Sequence, residues 1–123
     1  MDFSLITCIV SSSMGCVWYL DSGDSFHMSV EKNHFSTLEE KDIQIQIEMG
    51  DDRKYCVWGR GTVMFQREHG SPLTLSNVMY VPGLKKNLVS IAMLEDKGYD
   101  VVFSLGRVFL RHIGTGQTKQ IGI

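Results

Sequence analysis

The sequence predicts an all-β domain with one short helix in its C-terminal half. Three observations predict it. Apolar and polar residues alternate with a period of two in the middle of the chain. Turn residues recur roughly every eight to twelve positions. A single later stretch has helical spacing.

The elements follow in order. Ile43, Ile45, Ile47 and Met49 alternate with Gln44, Gln46 and Glu48, the pattern of a half-buried strand. Gly50-Asp51-Asp52 then supplies turn chemistry. Residues 55–58 and 62–66 are short strands around Gly59 and Gly61, and Glu68-His69-Gly70-Ser71-Pro72 suits a hairpin loop. Residues 73–81 alternate again before Pro82. Leu88, Ile91, Ala92 and Leu94 follow helical spacing, which predicts a helix over 87–97 with Asn87 as N-cap and Gly98 just past its end. Residues 99–103 and 107–113 form a hairpin through Ser104-Leu105-Gly106. Many short strands of this kind suit a barrel or a sandwich.

Gross composition bounds the function. The 123 residues are enough for one domain with a real core. A formal net charge of -2 gives no general attraction to nucleic acid or anionic lipid, so both are set aside as partners. Cys8, Cys16 and Cys56 are odd in number and lack C-x-x-C spacing, which points to free thiols in a reducing compartment. The four histidines are scattered without ligand spacing, so no metal and no cofactor is expected. Asp2 stands where a secretory leader carries positive charge, and no apolar run approaches the ~20 residues of a membrane span. A cytoplasmic, non-secreted protein is expected.

The candidate chemistry lies at Trp18-Tyr19-Leu20-Asp21-Ser22-Gly23. An apolar strand runs into a carboxylate, and burial at its end makes ionisation costlier. Asp21 is the acid or base, Ser22 is small enough to brace a neighbouring backbone, and Gly23 permits a sharp turn. Such a triplet arises by chance in roughly one chain of this length in twenty, and most are plain surface turns. If it is catalytic, its single occurrence has a consequence. Two carboxylates must share a proton, one polarising water and the other donating to the carbonyl. A two-fold homodimer would bring two copies of Asp21 together.

The neighbouring residues sharpen the reading. Residues 18–23 followed by Ser25, His27 and Met28 resemble the W-x-L-D-S-G-A-S-x-H-M signature of copia-type retrotransposon proteases. Gly50-Asp51-Asp52 and Gly59-Arg60-Gly61-Thr62-Val63 resemble that family's G-D-G and G-x-G-T-V elements. The run from Leu75 through Tyr80-Val81-Pro82-Gly83-Leu84 to Asn87-Leu88-Val89-Ser90 resembles its L-x-D-V-x-Y-V-P-x-L-x-x-N-L-x-S block, with Leu94 to Tyr99 continuing it. Order and spacing hold from Val17 onward, and the likeness is greatest to plant elements.

The resemblance implies a closed acid-protease (retropepsin-like) barrel over residues 17–123. Residues 1–16 form an unmatched N-terminal extension. It implies a homodimeric aspartic endopeptidase that cuts the element's own polyprotein. Asp21, Ser22 and Gly23 would be the catalytic triplet. Asp24, Ser25, His27, Gly83 and Asn87 would line the substrate or support the loop. The flap is either the turn near Asp51 or the loop near Gly70.

Two departures stand out. Asp24 replaces the family's usual alanine and sets a second negative charge beside Asp21. Arg60 replaces a usual isoleucine and should face solvent or an acid. Together with the unmatched ends, they leave an alternative: a degenerate, inactive β-barrel remnant, serving as an interaction module or having no role. Among the other residues, His27 is read as a loop-holding ring. Trp18 and Trp58 are read as core or barrel wall, Cys56 as a small buried residue, and Lys85-Lys86 as solvated surface.

Overall fold

The computed structural model describes residues 3–6, 18–21, 23–41, 46–48, 53–65 and 73–122, the backbone alone for 3–6 and 122. Ser22, the turn at Asp51 and the loop at Gly70 lie outside the described residues. So do Cys8, Cys16 and most of the alternating run 43–49. Among the described residues the architecture is mostly β, with one short helix and a 3-10 turn at Lys32–His34.

Strands β1 (Phe3–Ile6), β2 (Trp18–Asp21), β3 (Met28–Ser29), β4 (Phe35–Glu40), β7 (Gly59–Phe65), β8 (Leu73–Tyr80) and β9 (Asn87–Ser90) form a seven-stranded sheet. Its order is β1-β2-β9-β3-β8-β7-β4. Strands β5 (Gln46–Glu48) and β6 (Lys54–Cys56) make a two-stranded ribbon. Strands β10 (Tyr99–Ser104), β11 (Arg107–His112) and β12 (Thr118–Gly122) make a third sheet. Among the described residues these are three open sheets, and no ring of strands closes.

The centre of the large sheet is mixed. β2 runs parallel to β9, with Leu20 opposite Val89 and Asp21 opposite Ser90. β3 runs antiparallel to β9 and parallel to β8. Strands covered on both faces carry continuous apolar residues rather than alternation. β9 is accordingly buried at all four positions. One core gathers Trp18, Leu20, Val63, Phe65, Val78 and Val89 with Leu94, Val108, Leu110 and Ile121. A second, on Met28, Val57, Met79, Val81 and Leu88, takes Tyr19, Ile47 and Tyr55 at its margin. Trp18 meets Phe65 edge to face at 5.0 Å between ring centroids.

The G-x-G element has a steric cause. A Cβ on Gly61 would lie 2.0 Å from the Thr37 carbonyl oxygen, and one on Gly59 would lie 2.8 Å from that of Glu39. Only bare backbone lets β7 approach β4 this closely. Between these glycines Arg60 is exposed and stands opposite Glu39 in register.

The helix corrects one expectation. Residues 87–90 are strand β9, and α1 occupies only Ile91–Asp96. Its N-cap is Ser90, whose hydroxyl accepts from the Met93 amide at 3.2 Å; Asn87 is not the cap. A short apolar run such as Leu88-Val89 fits either a buried strand or a helix by spacing alone. Pairing with β2 decides it. Lys97 closes the helix, and Gly98 follows at φ +90°.

Two side chains differ from their expected burial. Trp58 is 61% exposed and Cys56 is exposed, because the buried position between them is Val57. The period of two through 55–58 turns Tyr55 and Val57 inward and sends the other two out. The hairpin joining β10 and β11 forms as expected, with Leu105 and Gly106 both at positive φ in a two-residue turn. Finally, residues 1–16, set apart in sequence as an extension, contribute β1 to the sheet edge, with Phe3 opposite Asp21.

Candidate active site

Asp21 is the last residue of β2 and is 1% exposed. Its Oδ1 accepts a hydrogen bond from the Gly23 amide at 2.7 Å, so the carboxylate folds back over its own turn. A carboxylate that accepts from backbone amide is fixed in direction. Gly23, Ser25 and Phe26 are exposed, so the chain surfaces within two residues of the buried acid.

Asp24 returns to the interior at 8% exposed. Its carboxyl stands within hydrogen-bonding reach of the Asp21 carboxyl. Burial, then the hydrogen bond and the charge of Asp21, raise its pKa from 3.8 to about 7. Its Oδ2 is buried without a hydrogen-bond partner. The two acids therefore form a close pair within one chain, in which Asp24 carries the proton over much of the pH range.

Ser90 holds this loop from behind. Its hydroxyl donates to the Asp24 carbonyl at 2.7 Å while also capping α1. Its amide donates to Nδ1 of His27 at 2.9 Å. His27 is 3% exposed, and burial, with a lesser push from Lys97, lowers its pKa from 6.5 to about 4. The ring is therefore neutral at pH 7, with Nδ1 as acceptor and the proton on Nε2. The His27 carbonyl accepts from the Met79 amide at 2.9 Å, which fastens the loop end to β8.

Asn87 works at the opposite end of the same strand pair, since it stands opposite Trp18 while Ser90 stands opposite Asp21. Its Oδ1 accepts from the Val30 amide at 3.0 Å and the Ser29 hydroxyl at 3.2 Å. Ser29 Oγ also lies 2.8 Å from His34 Nδ1. This network steadies the exit of β3 rather than the acid. Gly83 is exposed in the turn after β8, where a Cβ would lie 3.2 Å from the Tyr55 ring.

Of the residues expected at the site, the structure thus brings Asp21, Gly23, Asp24 and His27 together. It sets Asn87 and Gly83 elsewhere and leaves Ser22 undescribed. Sequence reasoning missed Ser90 as the hub. The available signal was a serine directly before Ile91-Ala92-Met93-Leu94, a favoured capping residue ahead of a helical run. Among the described residues no three His, Cys, Asp or Glu side chains gather as metal ligands.

Comparison with known proteins places this geometry. The family described as "Pol polyprotein, beta-barrel domain" matches residues 18–99. The chain is 27% identical over 100 residues to a retrovirus-related Pol polyprotein from transposon RE1 of Arabidopsis thaliana. It is 27% identical over 97 residues to the corresponding polyprotein from transposon TNT 1-94 of Nicotiana tabacum. These matches cover 80% and 79% of the chain, but only 7% of the length of each relative. No solved structure matches significantly. The match runs from the first residue of β2 through α1 to the start of β10, so it includes the acid pair, His27 and Ser90. The chain belongs to the Pol polyprotein beta-barrel domain family, and its relatives are Pol polyproteins of plant copia-type retrotransposons.

Proposed function

We propose that the chain is the aspartic endopeptidase subunit of a copia-type Pol polyprotein: a cytoplasmic homodimer with a closed, retropepsin-like barrel that cuts its own polyprotein. The observation that carries the reading is the fixed Asp21 carboxylate at the end of β2, locked to the amide of the exposed Gly23. In the dimer, two such loops meet on the two-fold axis. One Asp21 draws a proton from water as the water attacks the scissile carbonyl, and the other gives a proton to the carbonyl oxygen. No metal or cofactor takes part.

The test is cleavage of a precursor spanning the protein's own C-terminus, alongside sedimentation. The wild type is expected to dimerise and cut, and Asp21→Asn to abolish cutting. Persistent cleavage by that variant removes the mechanism, and a strict monomer removes the paired site.

A second reading is favoured by the burial of Asp21 at 1% exposure with Asp24 beside it. On that reading the domain is an inactive remnant that retains the fold. Asp24→Ala separates the two. Cleavage gained by this variant marks a site decayed at this position, whereas a wild type that already cuts marks a working enzyme.

A further inference from the structure

The Asp21–Asp24 contact is itself a device. Asp21 already accepts from the Gly23 amide on Oδ1, and its carboxylate still has acceptor sites for a further donor. Asp24 is the group placed to give it. Both are buried, and the Asp24 backbone is anchored by the Ser90 hydroxyl, so the side chain cannot drift off while the loop keeps this shape. Its other oxygen, Oδ2, is buried with no donor in reach. A buried carboxylate in that state would be unsolvated on one side and repelled on the other, which makes the neutral acid the form that fits.

We propose that Asp24 is a positioning residue that closes over Asp21 as a clasp: its protonated carboxyl donates to the Asp21 carboxylate and covers it, and loss of that proton releases the loop. The proton moves to solvent, and two like charges then face each other without a shared hydrogen. The charged and titratable groups around Asp24 do not replace that hydrogen. Asp21 on β2 is the like charge. His27 in the same loop is neutral and engaged through Nδ1 with Ser90. Lys97, after α1, acts on His27. Ser90 on β9 offers a hydroxyl already committed to the Asp24 carbonyl. The raised pKa of Asp24 puts the release near neutrality. The inference rests on reading Asp21 as the reacting acid, and it makes access to that acid depend on pH.

The experiment needs no substrate, so it separates the clasp from the enzyme reading. Absent cleavage sinks that reading and leaves the clasp standing, while a flat titration does the reverse. Hydrogen exchange of the Gly23 amide is followed in the full chain as pH rises. Between about pH 6 and about pH 8 its protection factor is expected to fall about tenfold in the wild type, as the ionised fraction of Asp24 rises by that factor. Asp24→Asn keeps a donor at every pH and should hold protection constant, whereas Asp24→Ala should be unprotected throughout. Equal pH dependence in the wild type and Asp24→Asn overturns the proposal. Should Asp24→Asn fail to fold, carbon NMR of the wild-type Asp24 carboxyl decides. A carboxyl midpoint that coincides with the fall in Gly23 protection upholds the clasp, and one that does not, or that lies near 4, overturns it.

Discussion

Ser90 donates its hydroxyl to the Asp24 carbonyl across 66 residues of sequence, and the same oxygen accepts the Met93 amide at the head of α1. One side chain therefore couples the acid-bearing loop to the helix. Ser90→Ala removes the cap and leaves a buried carbonyl unpaired. A loss of about 1–3 kcal/mol is expected in denaturant unfolding. A loss under about 0.5 kcal/mol would mean that the coupling carries no weight.

Close approach of β4 and β7 predicts an asymmetric response to alanine. Gly61→Ala would drive a Cβ into the Thr37 carbonyl, and backbone cannot yield as a flexible side chain does. Displacement of β4 and a loss of roughly 2 kcal/mol or more are expected, within the range of severe backbone effects. Gly98→Ala meets open space and carries only the strain of φ +90°, so about 1 kcal/mol is expected. Thermal unfolding of the two variants ranks them, and equal effects would contradict the geometry.

Leu20 and Leu105 offer a control on packing. Leu20 is fully buried within the acid-bearing strand β2, and Leu105 is 97% exposed at a hairpin tip. Leu20→Ala is expected to cost about 2–5 kcal/mol. Leu105→Ala should stay within about 0.5 kcal/mol. Urea midpoints with unchanged slopes would verify both.

The pH profile contains two opposed contributions. His27 has a folded pKa of about 4, below its unfolded 6.5. Its contribution is therefore present above pH 6.5 and is lost as pH falls through 4. Asp24 has a folded pKa of about 7, above its unfolded 3.8. Its contribution is fully present below 3.8 and is lost as pH rises through 7. Between about pH 4 and 6.5 the two slopes oppose each other, so wild-type stability should vary little there. In Asp24→Asn the slope of His27 should remain, joined by that of His34, whose pKa burial also lowers, with unfolding midpoints rising as pH rises across that window. A flat profile in this variant would show that His27 is not buried neutral.

Legibility in sequence followed the physics of each element. β7, β8 and the β10–β11 hairpin face solvent on one side, so their alternation and turn residues mark them. β3 and β9 are covered on both faces and short, so no periodicity announces them. Leu88-Val89 consequently read as the first turn of a helix. Asp21 was legible because its neighbours carry a recognisable signature, and Asp24 was legible as a departure from it. That the two touch, and that Ser90 holds them, depends on a parallel pairing between distant segments that local spacing cannot encode.

That parallel register also orders events during biosynthesis. β2 leaves the ribosome long before β9, and Asp21 has no Ser90 opposite it until most of the chain has emerged. Contacts of such sequence separation form late and slowly. The nascent chain therefore carries an unassembled acid loop until Ser90 has emerged and paired.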